Sequence, residues 1–209
     1  MSKSIFLAGF VALWALWGVH PAVAFMPVIG EKAPEFMGVD SKGERVSLAD
    51  FKGKPLILEW TNHQCPYVKK HYESGNMQRL QRQLTEAGAE WVSIISSAPG
   101  KQGYVDAATA EKLAVSRGAY ADRVLLDPEG TIGRLYGAKT TPQLFLIDEQ
   151  SVVRYMGAID DRPSSRRSTL VGARNYLLEA WQAFSEGKKV VLASTKPYGC
   201  TVKYGNIGE

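Results

Sequence analysis

The side chain best suited to covalent chemistry is Cys65. It stands in the run Glu59-Trp60-Thr61-Asn62-His63-Gln64-Cys65-Pro66-Tyr67-Val68. The apolar stretch Pro55 to Trp60 just before it reads as a buried strand. Pro66 suits the first position of a helix, where its missing N–H leaves no bond unmade. Cys65 is therefore expected at a strand-to-helix turn. There it would sit beside unpaired backbone N–H groups and the positive end of the helix dipole. Both favour thiolate, the nucleophilic form, over thiol. His63, two residues earlier, and Lys69, one turn into the helix, are candidates for adding positive charge. The alternative is a buried, inert thiol.

There is one other cysteine, Cys200, near the end of the 209-residue chain. It could resolve a mixed disulfide or sulfenic acid on Cys65 if the tail folds back to the turn. Gly199 would permit a close approach. Cys65 and Cys200 could instead form a permanent staple, worth about 3–5 kcal/mol for so long a loop, or remain unbonded. Trp60 and Tyr67 read as packing residues, with Tyr67 also placed to wall a groove. His71 reads as a surface helix residue.

The elements that must position Cys65 alternate. Two short strands near Pro34–Val39 and Arg45–Leu48 make a hairpin. A helix from Cys65 or Pro66 breaks near Ser74-Gly75-Asn76 and resumes to about Ala87. Further strands are expected at Trp91–Ser96, Val124–Leu126, Gln143–Ile147 and Val152–Met156, and helices at Ala107–Arg117 and Ile132–Tyr136. The longest helix is expected over Arg167–Ser185, with Leu170, Ala173, Leu177, Ala180, Trp181 and Phe184 on one face. The last stretch, from Val190, shows little periodicity. The pattern predicts an α/β fold, a central mixed sheet with helices on both faces.

Composition narrows the function classes. Hydrophobic residues make up 45% and charged residues 22%, as in a packed globular domain. The net charge is +4. Its densest cluster, Arg162, Arg166, Arg167 and Arg174, reads as a solvated face, so nucleic acid is not an expected partner. No Cys-rich or paired-His spacing is present, so neither a metal nor another cofactor is expected. Lys3, the apolar run Ile5–Val19 and Ala22-Val23-Ala24 have the layout of a cleavable secretory signal. The run is short for a spanning helix, which needs about 20 apolar residues. The expected organisation is a signal over 1–24, one domain over 25–190, and a tail over 191–209 carrying Cys200. Such a mature chain, beginning near Phe25, would be periplasmic or secreted and free of the membrane.

Several segments resemble the thioredoxin superfamily, and within it the redoxin branch of alkyl hydroperoxide reductases and thiol-specific antioxidant proteins. APEF…D…G…VSLADFKGKPLIL resembles that branch's N-terminal signature. CPYV resembles the glutaredoxin segment CPYC, with Val68 replacing the second cysteine. TTPQLFLID resembles the segment holding the cis-proline. GCTVKY resembles the ending of a peroxiredoxin-like subgroup. The resemblance implies a thioredoxin-like fold, a cis Thr141–Pro142 bond near Cys65, and a substrate groove lined by Thr141, Pro142, Pro66 and Tyr67. It also implies that Glu59, on the strand beneath the turn, matches a buried acid that assists proton transfer.

The departures bear on the reaction. Val68 cannot release a mixed disulfide as the second thiol of CxxC does. A peroxiredoxin places a hydroxyl three residues before its peroxidatic cysteine, in PxxxTxxC. Here Asn62 stands there and Leu58 replaces the proline. The leading expectation is thus a thiol–disulfide oxidoreductase acting on protein or small-molecule thiols and disulfides. A peroxidase that consumes a peroxide is the second, and a non-catalytic binding module is the third.

Overall fold

The computed structural model describes residues 26–206. The expected signal over 1–24 lies outside them. Among the described residues there are nine strands: β1 (Met37–Asp40), β2 (Arg45–Ser47), β3 (Leu56–Trp60), β4 (Glu90–Ile95), β5 (Arg123–Leu126), β6 (Thr140–Thr141), β7 (Gln143–Ile147), β8 (Val153–Gly157) and β9 (Cys200–Thr201). The helices are α1 (Pro66–Glu73), α2 (Asn76–Glu86), α3 (Ala107–Ser116), α4 (Thr131–Leu135) and α5 (Tyr176–Ser185). Among the described residues no helix is long and apolar enough to cross a membrane.

Seven strands form one mixed sheet in the order β2-β1-β5-β4-β3-β7-β8. β3 and β4 are parallel, as are β4 and β5; β7 runs antiparallel to β3 and to β8. β3 is buried at every position, Glu59 included, as its otherwise apolar run predicts for a central strand covered on both faces. Its side chains divide by parity. Leu56, Leu58 and Trp60 join Ile132, Tyr136 and Phe145 in one core, with α4. Ile57 joins Trp91, Leu144, Leu177 and Trp181 in the other, with α1, α2 and α5. The hairpin of β1 and β2 extends the sheet at β5.

The helix expected over 167–185 is not continuous. Arg167–Leu170 makes a single 3-10 turn, and Gly172 takes a left-handed φ of +70°. Asn175 then starts α5 afresh, its side chain accepting the Leu178 N–H at 2.9 Å. A side-chain cap plus a glycine break outweigh the periodicity, so Leu170 and Ala173 fall outside the helix.

Candidate active site

Cys65 caps α1 in extended conformation, and Pro66 opens the helix. The turn before it is built by Asn62. Its carbonyl accepts the Cys65 N–H at 3.0 Å and its Oδ1 accepts the Gln64 N–H at 2.9 Å. Its amide donates to the Gln102 carbonyl at 3.3 Å. Asn62 is thereby committed to shaping the turn. Cys65 has no exposed surface. The Thr141 carbonyl lies 3.2 Å from its sulfur, and the Thr141–Pro142 peptide is cis.

What covers Cys65 is the C-terminal tail. The Met156 N–H donates to Ala193, the Thr195 N–H donates back to Met156, and Thr195 Oγ1 accepts the Ala158 N–H. The chain then crosses to the Thr141–Pro142 loop. There β9 pairs antiparallel with β6, with Cys200 opposite Thr141 and Thr201 opposite Thr140. Beyond it, Val202 N–H donates to Lys139, Lys203 accepts from Ala98, and the Tyr204 hydroxyl donates to Ala138. Gly199 makes the approach possible. Its φ is +142°, and a Cβ there would lie 2.0 Å from the Thr141 oxygen. The result is a Cys65–Cys200 Sγ–Sγ distance of 2.7 Å, with both residues as free thiols and Cys200 partly exposed.

The two thiols are electrostatically unequal. Burial opposes ionisation of Cys65. The hydrogen bond from Cys200 and the Val68 backbone N–H outweigh it, and hold Cys65 below the ordinary thiol value. Burial, then the bond and the charge of Cys65, push Cys200 up to about 12. Thiolate character is thus concentrated on Cys65.

The other expected site residues are distributed around this pair. Thr141 and Pro142 are buried, Tyr67 is half-buried against the Tyr198 ring, and Pro66 is exposed. Thr141, expected to line a substrate groove, is paired with β9 instead. Lys69 is exposed. His63 is held below its ordinary value by burial, then by Arg117 and Lys69, which disfavours the positive charge expected of it. With Thr61 and Arg117 it lines a cavity of about 30 Å³. Glu59 is fully buried and accepts from Trp91 Nε1 at 3.0 Å, the Tyr72 hydroxyl at 3.0 Å, Gln81 at 3.1 Å and Ser93 at 3.2 Å. Burial raises its pKa. No hydrogen bond among the described residues joins it to either sulfur.

His71, expected on the surface, is instead fully buried. Its Nδ1 accepts from Asn76, and its Nε2 lies 3.8 Å from Asp160. The helix turns Lys70 and His71 inward, toward the buried carboxylate of Asp160, while Lys69 and Glu73 stay exposed. Sequence reading missed Lys70, Asp160 and Tyr198 for the same reason: each finds its partner far along the chain. No group of three or more His, Cys, Asp or Glu residues that could hold a metal occurs among the described residues.

A cysteine capping a helix beside a cis-proline loop belongs to a known architecture. The AhpC/TSA family model matches residues 29–156, more than half of the chain. The chain belongs to the AhpC/TSA family. The matched region contains Cys65, Thr141 and Pro142; Cys200 lies beyond it. Among named relatives of this family member, thiol-disulfide oxidoreductase ResA of Bacillus thuringiensis subsp. konkukian is 30% identical over 125 residues, covering 60% of this chain and 66% of that one, short of two thirds. The thioredoxin-like protein YneN of Bacillus subtilis is 26% identical over 156 residues, covering 72% and 82%. An uncharacterized conserved protein from Geobacillus kaustophilus shares the fold with a TM-score of 0.75 and 24% identity, over 88% of this chain and 95% of that one. The thioredoxin-like fold of the family member is thus shared over most of the chain.

Proposed function

We propose that the protein is an exported thiol–disulfide oxidoreductase in which Cys65 is the nucleophile and Cys200 the resolving thiol. The observation that carries this reading is the 2.7 Å approach of the two sulfurs at the start of α1. The name and 30% identity of the ResA relative support it. Export rests on the N-terminal signal pattern.

The reaction runs in two exchanges. The Cys65 thiolate attacks a substrate disulfide, R–S–S–R′. A bond forms between Cys65 and one substrate sulfur, and the other leaves as R′–S⁻ and takes a proton. Cys200 then gives up its proton and attacks the Cys65 sulfur. The second substrate thiolate leaves, and two electrons have passed from the protein dithiol to the substrate. An external thiol pair restores the dithiol by the reverse steps. Because Cys65 has no exposed surface under the tail, the first exchange requires the tail to move aside. Asn62, where a peroxiredoxin has a hydroxyl, is occupied with the turn. That favours disulfide over peroxide as substrate.

The test is exchange with a small aromatic disulfide, followed by absorbance, in the mature chain. Cys65→Ser is expected to abolish it. Cys200→Ser is expected to accumulate a mixed disulfide on Cys65, visible by intact mass. Turnover unchanged in Cys200→Ser refutes the resolving role. Rapid consumption of hydrogen peroxide without disulfide exchange refutes the reaction class.

A further inference from the structure

Lys70 is only 1% exposed and Asp160 only 2%. Lys70 Nζ lies 3.5 Å from Asp160 Oδ2, and donates to the Arg162 carbonyl at 2.9 Å and to the Tyr198 hydroxyl at 3.1 Å. The Tyr198 hydroxyl donates to Asp160 Oδ1, which also accepts the Arg162 N–H at 2.8 Å. The Tyr198 ring packs edge-on to Tyr67, with centroids 5.8 Å apart. Three parts of the chain meet here: α1, the loop after β8, and the tail.

Position along the chain gives the cluster its meaning. Lys70 lies on the helix that Cys65 caps, and Tyr198 is two residues before Cys200. Strand pairing at Cys200 is short, because β9 has only two residues. A buried ion pair is an inefficient source of stability, since desolvation offsets most of its attraction. It does fix relative position, because every partner must be satisfied at once. The reaction demands such fixing: two sulfurs on distant segments must be held in reach.

We propose that Lys70, Asp160 and Tyr198 are positioning residues that tie α1 to the tail and set the effective concentration of Cys200 at Cys65. This rests on the dithiol reading above. Removing the Tyr198 hydroxyl deletes the hydrogen-bonded link between helix and tail and leaves the ring contact with Tyr67. The sulfurs then spend more of their time apart, and Cys65 is uncovered more often.

The experiment equilibrates the mature chain in mixtures of reduced and oxidised glutathione. Two protein thiols become one disulfide as one oxidised glutathione becomes two thiols, and the equilibrium constant is the effective concentration. Tyr198→Phe is expected to lower it about tenfold or more, the size of losing one hydrogen bond to a charged group. Alkylation of Cys65 by iodoacetamide should quicken in the same variant, with melting temperature nearly unchanged. Asp160→Asn should act in the same direction. Should that variant be too unstable to purify, Tyr198→Phe decides alone. Tyr204→Phe, which removes a tail anchor on the other side of Cys200, is the control and should have the smaller effect. An unchanged effective concentration in Tyr198→Phe overturns the proposal, as does an equal loss in Tyr204→Phe. If the wild type itself forms no Cys65–Cys200 disulfide in any mixture, the dithiol reading fails and takes this proposal with it. That failure is recognised by the silence of the wild type.

Discussion

The two sulfurs reach one point by opposite means. Cys65 is delivered by regular structure: a fully buried central strand, a turn shaped by Asn62, and a helix opened by Pro66. Cys200 is delivered by an irregular tail, held through contacts with β8, Lys70, Asp160, β6, Ala98 and Ala138. The first placement draws on the same core that stabilises the fold. The second rests on margins that the seven-stranded sheet does not require. The proposed dithiol pair, assembled this way, can vary its reactivity through one arm without risking the other.

The largest expected effect that separates the arms comes from Gly199→Val. The backbone conformation and the 2.0 Å gap to the Thr141 oxygen both exclude a side chain. Strain of about 1–3 kcal/mol, or lifting of β9, should lower the effective concentration of the pair roughly 10- to 100-fold. Unfolding in urea should be little changed, because the sheet is untouched. Equal losses in both measurements would erase the distinction between arms.

Glu59→Gln should show the reverse pattern. The carboxylate accepts from four groups, and an amide nitrogen facing them leaves donors unpaired. Stability should fall by about 1–3 kcal/mol. The glutathione equilibrium should move less than about threefold, a difference under 1 kcal/mol. A large drop in exchange rate with stability intact would instead give Glu59 the proton-transfer role that the thioredoxin resemblance implies.

Acidification sharpens the comparison on the helix side. Burial, then the neighbouring Lys70, depress His71 to about 3. The other charged group facing it is Asp160, 3.8 Å away. The folded state keeps His71 neutral, whereas the unfolded state takes up a proton below about 6.5. Its contribution to stability is therefore complete above that value and is lost as pH falls from about 6.5 toward 3. Between pH 7 and pH 5 the wild type should lose about 2 kcal/mol relative to His71→Gln. Parallel denaturation curves at the two pH values would show that Asp160 takes up the charge instead.

The smallest effect is expected at Lys69. It is exposed, so water and salt screen its charge. Lys69→Ala should change the rate of Cys65 alkylation less than about threefold at neutral pH, within the range of a weak surface interaction. A tenfold change would make Lys69, rather than Cys200 and the Val68 N–H, the main source of thiolate stabilisation.

The helix-held arm was legible in the sequence because its signals are local. The run before Cys65 reads as a strand, Pro66 marks a helix start, and Ser74-Gly75-Asn76 marks the break, where Gly75 adopts a left-handed φ of +70°. The alternation of elements was enough for the sheet and its hairpin, and the match to TTPQ was enough for the cis bond. The tail-held arm was not legible. Tyr198 meets Lys70 across 128 residues, and β6 meets β9 through two residues on each side. No periodicity announces so short a ladder. Gly199 was the one local clue, and it licensed an approach without naming its target. His71 misled because a single buried carboxylate, Asp160, reverses the usual rule for polar residues on a helix. The broken helix before α5 misled because apolar spacing persists across Gly172, where the backbone does not follow it.

The way the tail is fastened gives the protein two separate thresholds of opening. Peeling residues 193–205 from the edge of β8, from β6 and from the Lys70–Asp160 cluster leaves the seven-stranded sheet paired and bares Cys65. Opening the ladder between β3 and its neighbours is tantamount to unfolding. Amide hydrogen exchange would resolve these as distinct units, with Cys200 and Val202 exchanging long before Leu58. A protease would find the same ordering, because the tail is where it first gains purchase. Its product would be a folded one-cysteine protein that can capture a disulfide partner and has no means of letting it go.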